Sequence, residues 1–195
     1  MTLIQLHYLI VIAETNSLNK AAEQLYVSQP SLTSAIKELE KELMVIGKTS
    51  ARYLQEGIDN YVKRTNYYMP FDIRYIPDIK STKAMTEEKQ KEKEGELFLN
   101  ALTPGDVLVL LDERGKEMTS REFASYIDRK SVTVSKRLVF VVGGPYGFSP
   151  AMYERADDKI SLSKMTFSHE MVRLFFVEQT YRAMTILRGE PYHHD

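Results

Sequence analysis

Cysteine is absent from the 195-residue chain. That excludes disulfides, thiolate catalysis and cysteine-ligated zinc, and it fits a reducing compartment. An excess of charge of one sign is lacking too: 26 Lys and Arg stand against 27 Asp and Glu, a net charge of −1. A generally basic coat for nucleic acid is therefore excluded, while a local patch is not. No long hydrophobic run is present. The longest uncharged stretch, residues 138–153, contains Gly143, Gly144, Pro145, Gly147 and Pro150, so it reads as a strand and a turn rather than a membrane helix. The first thirteen residues are fairly apolar, but the first basic side chain is Lys20, so the leading positive charge of a secretory signal is missing. The expectation is a cytoplasmic protein with no membrane association. What is there is ordinary globular composition, 43% hydrophobic and 27% charged, with length enough for one or two domains.

Periodicity divides the chain near residue 43 into a head, 1–43, and a body, 44–195. In the head Leu3, Leu6, Leu9, Ile10 and Ala13 recur at helical spacing. Ser17 caps a short second helix through Ala21, Ala22 and Leu25, and Ser28 caps a third with Pro30 in its first turn. The stripe of that third helix is Leu32, Ala35, Ile36, Leu39 and Leu43. In the body, strands are expected at 44–46, 71–76, 107–111 and 138–142, with helices near 51–64, 86–102 and 119–129 between them. Continuous apolar strands alternating with helices predict an α/β fold with a parallel sheet. The charge-rich stretch 89–96 mixes both signs and reads as a solvated helix face. A last helix over about 168–187 carries Met171, Val172, Leu174, Phe175, Phe176, Val177, Met184 and Ile186 nearly all round. Such a helix predicts burial that extends to a second subunit in a twofold dimer.

Several residue groups carry possible chemistry. In the head, two short helices and a tight turn read as a helix-turn-helix. Gln29, Ser31, Thr33, Ser34 and Lys37 on the third helix are either readers of a DNA major groove or a plain solvent face. Three Lys against five Glu give the head a net charge of −2, which disfavours phosphate binding. In the body, the 138–142 strand ends in Gly143-Gly144-Pro145-Tyr146-Gly147, either a tight turn or a close approach of backbone to ligand. Asp112-Glu113 and the polar loop 161–166 end other elements, and three such loops converging on one crevice would make a small-molecule site. His169 and Arg173 lie one helical turn apart. The tail, with Glu190, Tyr192, His193, His194 and Asp195, is more simply a tail than a metal site, so no metal is expected. Its aromatic and imidazole groups, with the nearby arginines, suit an RNA base and its phosphates.

Two resemblances sharpen these readings. The strings Ser17-Leu18-Asn19-Lys20-Ala21-Ala22-Glu23-Gln24-Leu25, Val27-Ser28-Gln29-Pro30-Ser31-Leu32-Thr33 and Ile36-Lys37-Glu38-Leu39-Glu40 resemble the DNA-binding head of LysR-type transcriptional regulators. The β-wing, linker helix and effector domains of that family are missing here. The strings Val45-Ile46-Gly47-Lys48, Lys91-Glu92-Lys93-Glu94-Gly95, Leu111-Asp112-Glu113-Arg114-Gly115-Lys116, Val142-Gly143-Gly144-Pro145-Tyr146-Gly147 and Leu162-Ser163-Lys164-Met165-Thr166 resemble another family. So do Tyr181-Arg182-Ala183 and Glu190-Pro191-Tyr192-His193-His194. It is the SPOUT-superfamily methyltransferases that act on N3 of a pseudouridine in 23S ribosomal RNA.

That second resemblance implies a parallel-sheet SPOUT-type α/β knot, with a C-terminal trefoil knot, S-adenosylmethionine in the knot, and a homodimer on the ribosome. It implies cofactor contacts at Leu111 and Gly144, where a side chain would take space the adenosine needs. The loop Ser163, Lys164, Met165, Thr166, Phe167 and Ser168 would wrap the cofactor, with Ser168 standing where the family often has proline. His193 or Tyr192 would accept or position the N3 proton, and Arg173 or Arg182 would meet charge developing on the uracil oxygens. Family members begin the first strand several residues before Gly47-Lys48, whereas Lys41, Glu42 and Leu43 fall here on the head's third helix. A slightly truncated first strand and a chimeric joint are therefore expected. The competing function is a transcription regulator with weak DNA contacts, in which the body only dimerises two heads.

Overall fold

The computed structural model describes residues 3–29, 32, 41–79, 85–133 and 136–192. In the head, α1 (Leu3–Thr15) and α2 (Leu18–Gln24) are joined by Asn16 in the left-handed region, φ 50°. Ser17 accepts the Lys20 N–H and caps α2, as its position predicts. Val11, Ala21, Ala22 and Leu32 form a small buried cluster, with Tyr8, Ile12, Leu25 and Val27 packed on it. The Leu32 N–H donates to Ser28 O, the expected start of the third helix. Most of that helix, including Ser31, Thr33, Ser34 and Lys37, lies outside the described residues.

The body is a sheet covered by helices on both faces. Its elements are β1 (Lys41–Ile46), α3 (Arg52–Thr65), β2 (Phe71–Ile76), α4 (Glu87–Ala101), β3 (Val107–Glu117), α5 (Ser120–Thr133), β4 (Leu138–Val142), α6 (Pro150–Arg155), β5 (Asp158–Ser161) and α7 (Met171–Arg188). The strands are ordered β2-β1-β4-β3-β5, and each neighbouring pair is parallel. All five residues of β4 are buried, which is why their run is continuously apolar. Alternation sorts the side chains. Leu43, Val45, Val109, Phe140 and Val142 face Ile58 of α3, Phe123 and Ile127 of α5, and Phe176, Val177 and Met184 of α7. Met44, Ile46, Leu108, Leu110, Val139 and Val141 face Phe98 of α4 and Met152 of α6. Phe140 and Phe176 pack with ring centroids 4.8 Å apart.

The start of β1 corrects the reading of the joint. Lys41, Glu42 and Leu43 are strand residues, in register with Phe71, Asp72 and Ile73 on one side and Leu138, Val139 and Phe140 on the other. The strand is not truncated to 44–46, and Leu43 belongs to the sheet core rather than to a helix stripe. Helical spacing of Leu39 and Leu43 misled because β1 is buried on both faces and shows no alternation of its own. An ion-pair network holds this end of the sheet. Arg137, just before β4, binds Glu42 at 2.8 Å and Asp106, just before β3, at 2.5 Å.

Two short elements escaped the sequence reading. Ser149 caps α6 and Pro150 opens it, a start signal hidden in a glycine-rich stretch. β5 is only four residues long and offers no usable period. β3 also runs six residues further than expected, with its register on β5 shifting between Leu111 and Lys116. A Cβ at Gly115 would collide with the Ile160 backbone, so glycine permits that close passage. The apolar circumference of α7 is mostly covered by its own chain. Phe176, Val177 and Met184 are buried, and Phe175 and Leu187 remain exposed.

Burial pushes the Asp106 carboxyl up, but hydrogen bonds from Arg137 and from the Thr103 N–H and hydroxyl outweigh it and hold it below its ordinary value. Its contribution to stability is therefore present at neutral pH and is lost as the pH falls below about 3.8, the ordinary value, through the depressed one. Replacing Arg137→Met is expected to cost about 3 kcal/mol at neutral pH by leaving Asp106 buried and unpaired. Urea denaturation at neutral and acidic pH checks this, and the loss should shrink in acid.

Candidate functional site: a cavity at the carboxyl edge of the sheet

Parallel strands bring their carboxyl ends to one edge, and residues 111–114 of β3 with the loops after β4 and β5 enclose a cavity of about 600 Å³ there. Leu111 and Asp112 line one wall, 142–148 the second, and 161–163 with Met165, Thr166, Phe167, Ser168 and His169 the third. Of the residues expected to hold a cofactor, Leu111, Gly144, Ser163, Met165, Thr166, Phe167 and Ser168 all line it. Lys164 is not in that lining; its ammonium is exposed, 3.8 Å from the Glu117 carboxylate.

Each wall has a local cause. After β4 the Gly147 N–H donates to Gly144 O at 3.1 Å, with Gly147 at φ 79°. The glycine segment is thus a tight turn and a cavity wall at once. A Cβ at Gly144 would overlap the carboxylate of Glu94 on α4, so packing against that helix is a reason for glycine at 144 besides the expected one. Within β3, Asp112 Oδ2 accepts the Tyr153 hydroxyl at 2.5 Å and Oδ1 accepts the Arg114 N–H. Burial, then the bond to Asp112, pushes the Tyr153 phenol up to about 12, so it stays a donor. In the third wall the Ser163 hydroxyl accepts the Met165 N–H, and Ser161 donates to Ser163 O. Ser168 accepts the Met171 N–H on its side chain and the Val172 N–H on its carbonyl, which ties the loop to α7 without a proline.

The proposed chemical residues separate into three places. His169 lines the cavity, but Arg173 does not. Arg173 is buried, and its guanidinium donates to Ile46 O, Gly47 O and Thr49 Oγ1, while its Nε donates to His169 O. Its place is therefore a clamp on the end of β1, not contact with a uracil. Glu170 adds to it by accepting the Ser50 N–H and hydroxyl, each at 2.8 Å. Arg182 and Tyr192 do come together: Arg182 pairs with Glu178 at 2.5 Å and lies 4.8 Å over the Tyr192 ring, whose hydroxyl reaches Glu178 and Tyr61. Burial and the Tyr61 bond raise the Tyr192 phenol well above its ordinary value, so it holds its proton rather than accepting one. Tyr61, Arg64, Glu178 and Glu94 went unnoticed as contributors. The only signal for Glu94 was Gly95 beside it, a mid-helix glycine marking close approach. Gln29 is exposed. His193 lies outside the described residues.

Fold and site define an α/β protein in which β3 and two strand-end loops close around a small-molecule cavity. A family model described as "Predicted SPOUT methyltransferase" matches residues 39–193, and one described as "Bacterial regulatory helix-turn-helix protein, lysR family" matches residues 3–45. The chain is 64% identical over 153 residues to a "Ribosomal RNA large subunit methyltransferase H" of Parabacteroides distasonis, covering 78% of this chain and 98% of that one. Proteins of the same name from Phocaeicola vulgatus and Flavobacterium johnsoniae are 60% and 56% identical, with the same coverage. The chain belongs to the SPOUT methyltransferase family.

Replacing Arg173→Lys leaves carbonyls at the end of β1 without their donors. A loss of about 2 kcal/mol is expected, within the range for buried unsatisfied acceptors. The shift in denaturation midpoint checks it.

Proposed function

We propose that the chain transfers a methyl group from S-adenosylmethionine to N3 of a pseudouridine in 23S ribosomal RNA, as a cytoplasmic homodimer with a C-terminal knot. The observation that carries the reading is the cavity, whose walls contain seven of the eight expected cofactor residues. The names of the relatives support the ribosomal substrate. Among the described residues no helix is long and apolar enough to cross a membrane.

S-adenosylmethionine supplies an activated methyl group on a sulfonium, so the protein's task is alignment and proton removal. The 143–147 turn, Leu111 and the 163–168 loop enclose the donor, and Tyr153 fixes Asp112 at the rim. Tyr192, protonated and held by Glu178 and Tyr61, positions the acceptor base. Arg182 brings positive charge beside it for the uracil oxygens. His193, next in sequence, takes the N3 proton. Arg182 and Tyr192 are not in the cavity lining of their own chain. A second copy docked along α7 would cover the exposed Phe167, Phe175 and Leu187 and carry one chain's Arg182–Tyr192 pair towards the other's cavity.

The lysR match over residues 3–45 favours a second reading, a regulator whose body only dimerises the heads. The head's net charge of −2 gives little counterion release, so DNA binding by Gln29 and its neighbours would be weak. Ribosomes lacking the modification separate the two. With S-adenosylmethionine the chain is expected to methylate one pseudouridine of their 23S RNA, and a scaffold leaves them unmethylated. His193→Ala should lower the single-turnover rate by about 10²-fold, the scale of a positioned acid–base group.

A further inference from the structure

Among the described residues Glu94 is one of two buried carboxylates, at 3% exposure. The other, Asp106, is ion-paired to Arg137. Glu94 has one hydrogen bond, from Gln90 Nε2 to Oε1 at 2.8 Å, and its Oε2 has no partner. A buried polar atom left unpaired is costly and calls for a reason. Packing supplies one. Glu94 and Gly95 are adjacent on α4, and both meet the loop after β4. The Glu94 carboxylate fills the place of a Cβ at Gly144, and the Ser149 hydroxyl fills the place of a Cβ at Gly95. Ser149 in turn caps α6. The helix thus seats both ends of segment 144–149 from behind, while 143–148 forms the cavity wall in front. Gly144 is not among the glycines with positive φ, so space alone limits a side chain there.

We propose that Glu94 is a positioning residue for the donor cavity: it props the 143–147 turn at the height the ligand needs, and Gly144 is required by Glu94 rather than by the ligand. The proposal rests on the reading of this cavity as the donor site. Burial favours the neutral form of Glu94, the Gln90 bond opposes this, and Asp78, from the segment after β2, reinforces it. Among the described residues Asp78 is the charged group that acts on it; Gln90, Gly144 and Ser149 bring no charge. Losing the proton would set an uncompensated charge against the turn.

Titration calorimetry with S-adenosylmethionine on the full chain tests this, using wild type, Gly144→Ala, Glu94→Ala, the double variant and Glu94→Gln. Gly144→Ala is expected to weaken binding about tenfold, and Glu94→Ala added to it to restore most of that loss, as contacting residues couple. Glu94→Gln keeps the volume and the Gln90 bond, so it should bind like wild type wherever Glu94 is neutral. Wild type should lose affinity relative to this variant as the pH rises and Glu94 gives up its proton. A double variant no better than Gly144→Ala overturns the proposal, as does parallel pH dependence of wild type and Glu94→Gln. If wild type itself binds no S-adenosylmethionine, the donor reading fails. The prop is then judged on thermal midpoints: Glu94→Ala raising the midpoint of Gly144→Ala supports it, and lowering it further contradicts it.

Discussion

Parallel pairing is the constraint from which the rest of this molecule follows. It forces a helix between successive strands, so both faces of the sheet are covered and β1 and β4 are buried almost throughout. It also brings residues 111–114 of β3 and the ends of β4 and β5 to one edge, where segments from distant parts of the sequence meet. The polar groups that a buried sheet cannot hold are exported to that edge. The cavity is thus a consequence of strand direction, and its particular shape is left to the loops.

Contacts with helices hold the segments at this edge of the sheet. Arg173 and Glu170 pin the β1–α3 connection to the start of α7. Asp112 and Tyr153 link β3 to α6. Glu94 and Gly95 press α4 against the turn after β4. Each contact joins a loop to a helix whose own burial is secured elsewhere in the core. A ligand entering such a cavity meets walls that are already placed, which lowers the ordering cost of binding.

The parts of this plan that showed in the sequence are those with a periodic or compositional signature. The five apolar residues of β4 read as a doubly buried strand and are one. The glycine turn and the serine-rich loop stood out by composition, and both line the cavity. The parts that did not show depend on tertiary partners. Glu42, near the start of β1, pairs with Arg137, 95 residues away, and nothing in the local pattern announces that. Glu94 sits in a charge run that is otherwise mostly solvent-facing, and only its neighbour Gly95 hinted at contact. Arg173 and His169 share a turn of sequence yet serve different partners, since one guanidinium reaches back to β1. Spacing told which residues could share a face, not what lay against it.

The central claim is that the carboxyl-edge cavity is the donor site, and hydrogen–deuterium exchange with and without S-adenosylmethionine tests it most directly. The account predicts slower exchange in segments 143–148 and 161–169 on adding the ligand, with α1 and α2 unchanged. Protection confined to the head or to α3, with those two segments exchanging as before, would contradict it.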